Sequence, residues 1–216
     1  DAAARPGAAA RRAMTYLAAH PDRVGALLAQ HVGLVAASLA IALAIALPLG
    51  VFAERRPRAG SAILAVTGAI YTIPSLALLA LLVAVLGLGS LTAIVALVAY
   101  AQMVLIRGVV AGLRGVDPAI VDAARGLGMT PRQALLRVEF PAALPVVLGG
   151  VRIATVSLVA LATIAAWINA GGLGVLIFEG MTTDNPQKIV AGALAAAALA
   201  IAADVALRSA ERAVRR

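Results

Sequence analysis

The 216-residue chain contains no cysteine. That excludes a disulfide frame and any thiol-ligated metal site. Aromatic residues are scarce at 3%, with one Trp, three Tyr and three Phe. A base-stacking surface needs more, so the net charge of +8 is not read as affinity for nucleic acid. No Gly-x-x-x-x-Gly-Lys-Ser/Thr phosphate loop is present, so the chain does not itself bind and hydrolyse ATP by that route. Gly-Leu-Gly stands at 87–89 and at 126–128, but neither follows a strand pattern, and a dinucleotide reading fails. No carboxylate pair, Ser/His/Asp set or metal-ligand cluster is visible, so the chain is not read as an enzyme. His20 and His31 have no carboxylate or Cys neighbours and are expected to be interfacial polar residues, since a metal needs several convergent donors.

Apolar residues fill the space left by these absences. They make up 62% of the chain, charged residues only 13%, and the mean hydropathy is +1.00. A soluble domain of this length cannot hide so much apolar surface. The expected fold is all-α, a polytopic membrane helix bundle. At about 20 residues per span the length allows five or six helices in one domain.

Taken in order, residues 1–13 are rich in Ala, Arg and Pro and are expected to be a disordered extension. Met14 is a plausible natural start, and 14–216 form the membrane domain. Residues 16–31 read as a short interfacial helix and 32–53 as the first span. A basic loop, 54–58, follows. The uncharged run 59–106 is too long for one span, and Gly87-Leu88-Gly89-Ser90 is its natural turn. It divides into spans at about 61–86 and 91–111. The former contains Tyr71-Thr72-Ile73-Pro74-Ser75, where proline removes a backbone bond and kinks the helix. A fourth span lies within 142–167, with its true start near Gly149. Arg152 is then expected at the membrane edge, paired with Glu139 or Asp117, because an arginine facing lipid is costly. Asn169-Ala170-Gly171-Gly172-Leu173-Gly174 opens a long connection whose polar part is 178–187. A fifth span runs over about 189–207, with Asp204 paired to Arg208 one turn on.

Between the third and fourth spans lies a polar island, residues 117–141. Asp117 is a good N-cap and Pro118 suits the first helical position. Gly126 and Gly128 are placed to end that short helix. Thr130, Pro131 and Gln133 form the capping-box signature of a second helix, expected to be bounded by Pro141 and Pro145. Ile120, Val121, Ala124 and Leu127 form an apolar edge suited to a partner's groove.

The spacing inside the island is distinctive. Asp122-Ala123-Ala124 is followed by three residues (the first being Arg125 and the second Gly126), then Gly128, nine residues, and Val138-x-Phe140-Pro141. This resembles the Glu-Ala-Ala loop of permease subunits of binding-protein-dependent ABC importers, with Asp for Glu, Val for Ile and Phe for Leu. Ile73-Pro74-Ser75-Leu76-Ala77-Leu78 and Ala170-Gly171-Gly172-Leu173-Gly174 are further similar to the permeases that import osmoprotectants such as glycine betaine, carnitine and choline. The resemblance implies that the island is a cytoplasmic coupling helix docking on an ATPase. It implies an ABC ATPase dimer that binds ATP and Mg, a second permease copy or paralogue, and an extracytoplasmic substrate-binding protein. The mechanism it implies is alternating access.

Charge gives an independent reading of topology. With five spans, 12 of the 18 basic residues fall on one side of the membrane. The positive-inside rule puts the island and the C-terminus in the cytoplasm and the N-terminus outside. The resemblance further implies a multi-pass protein of a prokaryotic cell (inner) membrane. The expected translocation path passes Tyr71, Pro74, Ser75, Tyr100, Trp167 and Asn169. Two rivals are the same architecture carrying another small solute, such as an amino acid, and an ATP-independent secondary transporter. The latter needs intramembrane carboxylates or ion-coordinating breaks, and Asp204, at a helix end, is the only acidic candidate in a span.

Overall fold

The computed structural model describes residues 6–214. Among these every element is helical. In chain order they are α1 (Pro6–Ala19), α2 (Pro21–Arg55), α3 (Pro57–Thr72), α4 (Ser75–Leu86), α5 (Ser90–Arg114), α6 (Pro118–Gly126), α7 (Pro131–Ala134), α8 (Phe140–Ala165), α9 (Gly174–Thr182) and α10 (Pro186–Val214). A π turn, Leu135–Glu139, joins α7 to α8, and a 3₁₀ turn, Ala166–Ile168, follows α8. Four of the described helical runs are long and apolar enough to cross a membrane, or five if α3 and α4 form one broken span. The protein is an all-α transmembrane chain.

Prolines set most of the starts. α1, α2, α3, α6, α7 and α10 each begin with one, where its fixed φ suits the helix and its missing N–H is not needed. Inside helices, Pro48 and Pro145 are tolerated, as they are in membrane spans whose neighbours satisfy the freed carbonyl.

The chain divides into two compact units. The first gathers Ala40–Thr72, Ala99–Ala154 and the chain from Ala203. Its core is Val109, Leu113, Val116, Ala143 and Val147, flanked by Leu47, Val51, Val121 and Leu135. α5 and α8 meet at two glycines: a Cβ built on Gly150 would stand 3.2 Å from Gly108 Cα. Small residues allow such close backbone approach in membrane helices. The second unit gathers the chain up to Leu39, Ile73–Val98 and Thr155–Ala202. Leu27, Leu173 and Leu176 form a core there, with Tyr16, Val24 and Leu199 packed against it.

Several expectations are corrected. α1 is helical from Pro6 and buries Ala13 fully, so the disorder expected over 1–13 does not hold for its described part. Alanine and arginine are strong helix formers and override the loop-like composition. Residues 1–5 lie outside the described residues. The interfacial helix expected over 16–31, running into the first span, is divided at His20, and α2 then runs unbroken for 35 residues. The expected kink in the second span is a full interruption at Ile73 and Pro74. No helix begins at Gly149, through which α8 is continuous. The stretch expected as a loop, 178–187, is helical at both ends, in α9 and α10.

Candidate functional site

The polar island is built almost entirely from local caps. Asp117 Oδ1 accepts the Ala119 N–H at 2.9 Å and opens α6. At the other end Gly128 adopts φ 79°. Its N–H donates to Arg125 O, and the Met129 N–H donates to Ala124 O. This pair of bonds is a Schellman cap, which needs a left-handed residue and so favours glycine. Thr130 then starts α7 with a complete capping box. The Gln133 N–H donates to Thr130 Oγ1 at 3.3 Å, and the Thr130 N–H donates to Gln133 Oε1 at 2.9 Å.

The second helix does not stop at Pro141. The helical run continues from Pro131 to Ile168. The Phe140 N–H reaches back five residues to Leu135 O in the π turn. Pro141 therefore enters where the four-residue ladder is already interrupted, and its missing N–H costs little.

The expected apolar edge is split between two faces. Ala124 is buried, and Val121 packs against the core formed by Val109, Leu113 and Val147. Ile120 and Leu127 stay exposed, at 48% and 79%. Asp122, Ala123, Arg125, Gly126, Gly128 and Pro141 are also exposed, while Val138 is half-buried. Asp122 and Arg125 pair at 3.4 Å with both side chains in solvent, where such a pair adds little stability. One face of α6 is thus anchored to its own unit, and the other presents two large aliphatic side chains beside charge.

Beneath the island, Arg55 Nη2 donates to Glu139 Oε2 at 2.6 Å. Glu139 is buried and Arg55 is partly exposed. The pair joins the end of α2 to the π turn. Sequence reasoning offered Glu139 or Asp117 to Arg152 instead. Arg152 in fact meets α10, with Asp204 at 3.3 Å and Glu211 at 3.5 Å. Asp204 also holds Arg208 at 2.8 Å, as expected. Asp204 thus pairs with two cations, Arg152 and Arg208.

The expected path residues fall in two places. Tyr71 and Tyr100 meet edge to face with ring centroids 5.9 Å apart, a favourable aromatic geometry. Tyr71 also lines a groove of about 690 Å³ with Arg107, Arg152 and Glu211. In the other unit, Trp167 and Asn169 line a depression of about 430 Å³ with Phe178, Glu179 and Thr182. Pro74 and Ser75 stand at the start of α4, and neither lines these two hollows.

Two residues with structural consequence escaped the sequence. His31 is fully buried rather than interfacial. Its Nδ1 accepts the Leu173 N–H at 3.2 Å, and its Nε2 lies 3.1 Å from Val159 O. That arrangement assigns the proton to Nε2. Beside it the Gly172 N–H donates to Gln30 Oε1 at 3.2 Å, so α2 pins the glycine-rich turn. Glu179 is the second: it pairs with both Arg23 and Lys188.

Over residues 46–216 the sequence matches the family described as binding-protein-dependent transport system inner membrane component. It is 37% identical over 178 residues to the carnitine transport permease protein of Listeria monocytogenes, covering 82% of each chain. It is 37% identical over 183 residues to a choline transport system permease protein of Bacillus subtilis, covering 85% of this chain and 84% of that one. An inward-facing structure of the MetNI methionine ABC transporter superposes with a TM-score of 0.82 at 23% identity, covering 90% of this chain and 97% of that chain. At that identity the likeness is one of fold.

Proposed function

The chain belongs to the binding-protein-dependent transport system inner membrane components, and on that premise we propose that it carries a small quaternary-ammonium osmolyte inward by ATP-driven alternating access. As a permease subunit of an ABC importer it supplies the membrane path. ATP and Mg are bound by a separate ATPase dimer. A second permease copy or paralogue completes the path, and a substrate-binding protein delivers the solute from outside. The island and the C-terminus lie in the cytoplasm and the N-terminus outside.

The observation that carries the coupling role is the exposed face of α6. Caps at both ends make it a rigid body, and Val121 and Ala124 fix it to the core of its unit. Ile120, Ala123 and Leu127 remain outward. An amphipathic helix of this kind suits a groove on a partner. The ligand class rests on the two relatives whose names state carnitine and choline.

The test is co-purification with the cognate ATPase, and coupled ATP hydrolysis, for wild type, Asp122→Arg and Gly128→Pro. Proline cannot adopt the φ of 79° at Gly128, so the Schellman cap is lost. Both variants are expected to lose the complex or its coupled hydrolysis while the membrane helices stay folded. Variants that bind and couple like wild type would refute the coupling role. Uptake by liposomes holding this chain without an ATPase would refute the ATP-driven mechanism.

A further inference from the structure

A groove of about 640 Å³ lies between the end of α2 and the π turn. One wall runs from Leu47 to Phe52 on α2, and the other is Leu135, Leu136 and Phe140. Both walls belong to the same compact unit. Phe52 and Leu136 are 50% and 57% exposed, so the described chain leaves these apolar walls uncovered. The only charged residues lining the groove are Arg55 and Arg56. Arg55 is engaged by Glu139 and Glu54. Arg56 is exposed, and among the described residues its guanidinium pairs with no acid. The groove is thus apolar along its walls, with one uncommitted cation at its end.

The depth of the groove decides what fits it. Leu47 and Phe52 lie in the uncharged run 32–53 of a helix long and apolar enough to cross a membrane. At 1.5 Å per residue, Leu47 stands about 12 Å along α2 from Arg55. The hydrocarbon of one leaflet is about 15 Å deep. The walls therefore run through most of a leaflet and end in arginine at headgroup depth. A soluble partner does not reach so far, whereas an acyl chain does. A phosphodiester at the end of that chain meets Arg56, and guanidinium–phosphate pairs belong to the strong, often bidentate class. A zwitterionic headgroup brings its own cation to the same place and gains less.

We propose that this groove binds one anionic phospholipid, with its phosphate on Arg56 and an acyl chain between α2 and Phe140. The inference needs α2 to cross the membrane and nothing about the solute carried, so it stands or falls apart from the importer reading. A lipid held there adds a second link between α2 and the π turn, beside the Arg55–Glu139 bond.

The full chain in vesicles tests this with lipids brominated in their acyl chains, which quench an indole on contact. Trp167→Phe removes the sole tryptophan, and Phe52→Trp then places a reporter in the groove. With brominated phosphatidylglycerol rising in phosphatidylcholine vesicles, quenching at residue 52 is expected to show about a fivefold preference for the anionic lipid. Ile201→Trp in the same background reports the lipid around α10, where Ile201 is 64% exposed, and is expected to show little preference. Arg56→Gln is expected to remove the preference at residue 52. Arg58→Gln takes the same charge from the same loop outside the groove and is expected to leave it. Equal quenching by the two lipids at residue 52, the same preference at residue 201, or an equal loss in both arginine variants would each overturn the site. Quenching at residue 201 with none at residue 52 would show that protein covers the groove, which overturns it too. Glycerol phosphate carries the charge without the chains and is expected not to compete. Relief of quenching by it would assign the arginine to a free phosphate and refute the lipid.

Discussion

Arg55 Nη2 and Glu139 Oε2 stand 2.6 Å apart, with the carboxylate buried and the guanidinium partly in solvent. The bond ties the end of α2 to the π turn near the end of the polar island. Arg55→Met leaves a buried carboxylate without its cation. The expected cost is about 2 kcal/mol, since hydrogen bonds to charged groups are the stronger class. It is read as a lower midpoint of thermal unfolding in detergent. Replacing both residues by Met should recover part of that loss, because the penalty lies in the orphaned charge. A double variant whose loss is the plain sum of the two singles would show that the residues act independently.

His31 carries a different kind of load. The Leu173 N–H lies in a glycine-rich turn, and its acceptor is the imidazole Nδ1. His31→Leu keeps apolar bulk but leaves that buried donor unpaired, at an expected cost of about 2 kcal/mol. Backbone amide exchange should then quicken at Gly172 and Leu173 and leave α6 unaltered. Exchange that is unchanged at those two amides would mean that another group satisfies the donor.

Arg152, Asp204, Arg208 and Glu211 form a charge network between α8 and α10. Its members are partly exposed, so salt screens it. Arg152→Gln is expected to lower the unfolding midpoint at about 50 mM salt and to differ less from wild type at about 500 mM, where the Debye length is only a few ångströms. A gap that stays constant across that range would assign the effect of Arg152 to packing of its aliphatic stem.

What the sequence disclosed follows from the range of the interactions. Asp117, Pro118, Thr130 and Gln133 act on backbone groups within four residues, so their types and spacing announced both short helices. The turn at Gly87–Gly89 and the Asp204–Arg208 pair were legible for the same reason. His31 and its partners are 128 and 142 residues apart, and nothing near it in the chain hinted at burial. Arg152 was offered Glu139 or Asp117, acids of the preceding island, whereas packing supplied acids 52 and 59 residues on. Pro145, Gly149 and Gly150 were read as placing the span start near Gly149. Gly150 instead admits α5 at Gly108. Phe178 and Trp167 are eleven positions apart and share a hollow only once the turn between them folds.

The π turn at Leu135–Glu139 has a consequence for chain length. From Glu139 at the end of the π turn into α8, the buried positions Glu139, Ala143, Val147 and Val151 recur every four residues, yet the step from Ala134 to Glu139 is five. The surplus residue rotates all that precedes it by about 100° relative to an uninterrupted α-helix. The stretch thus acts as an indexing step between loop and membrane helix. Deleting Leu136, which is exposed, should convert it to an ordinary α turn while Ala134 and Glu139 both keep facing inward. A relative one residue shorter at this point is expected to retain the same island on the same membrane helix, a tolerance of length that no single contact in the protein records.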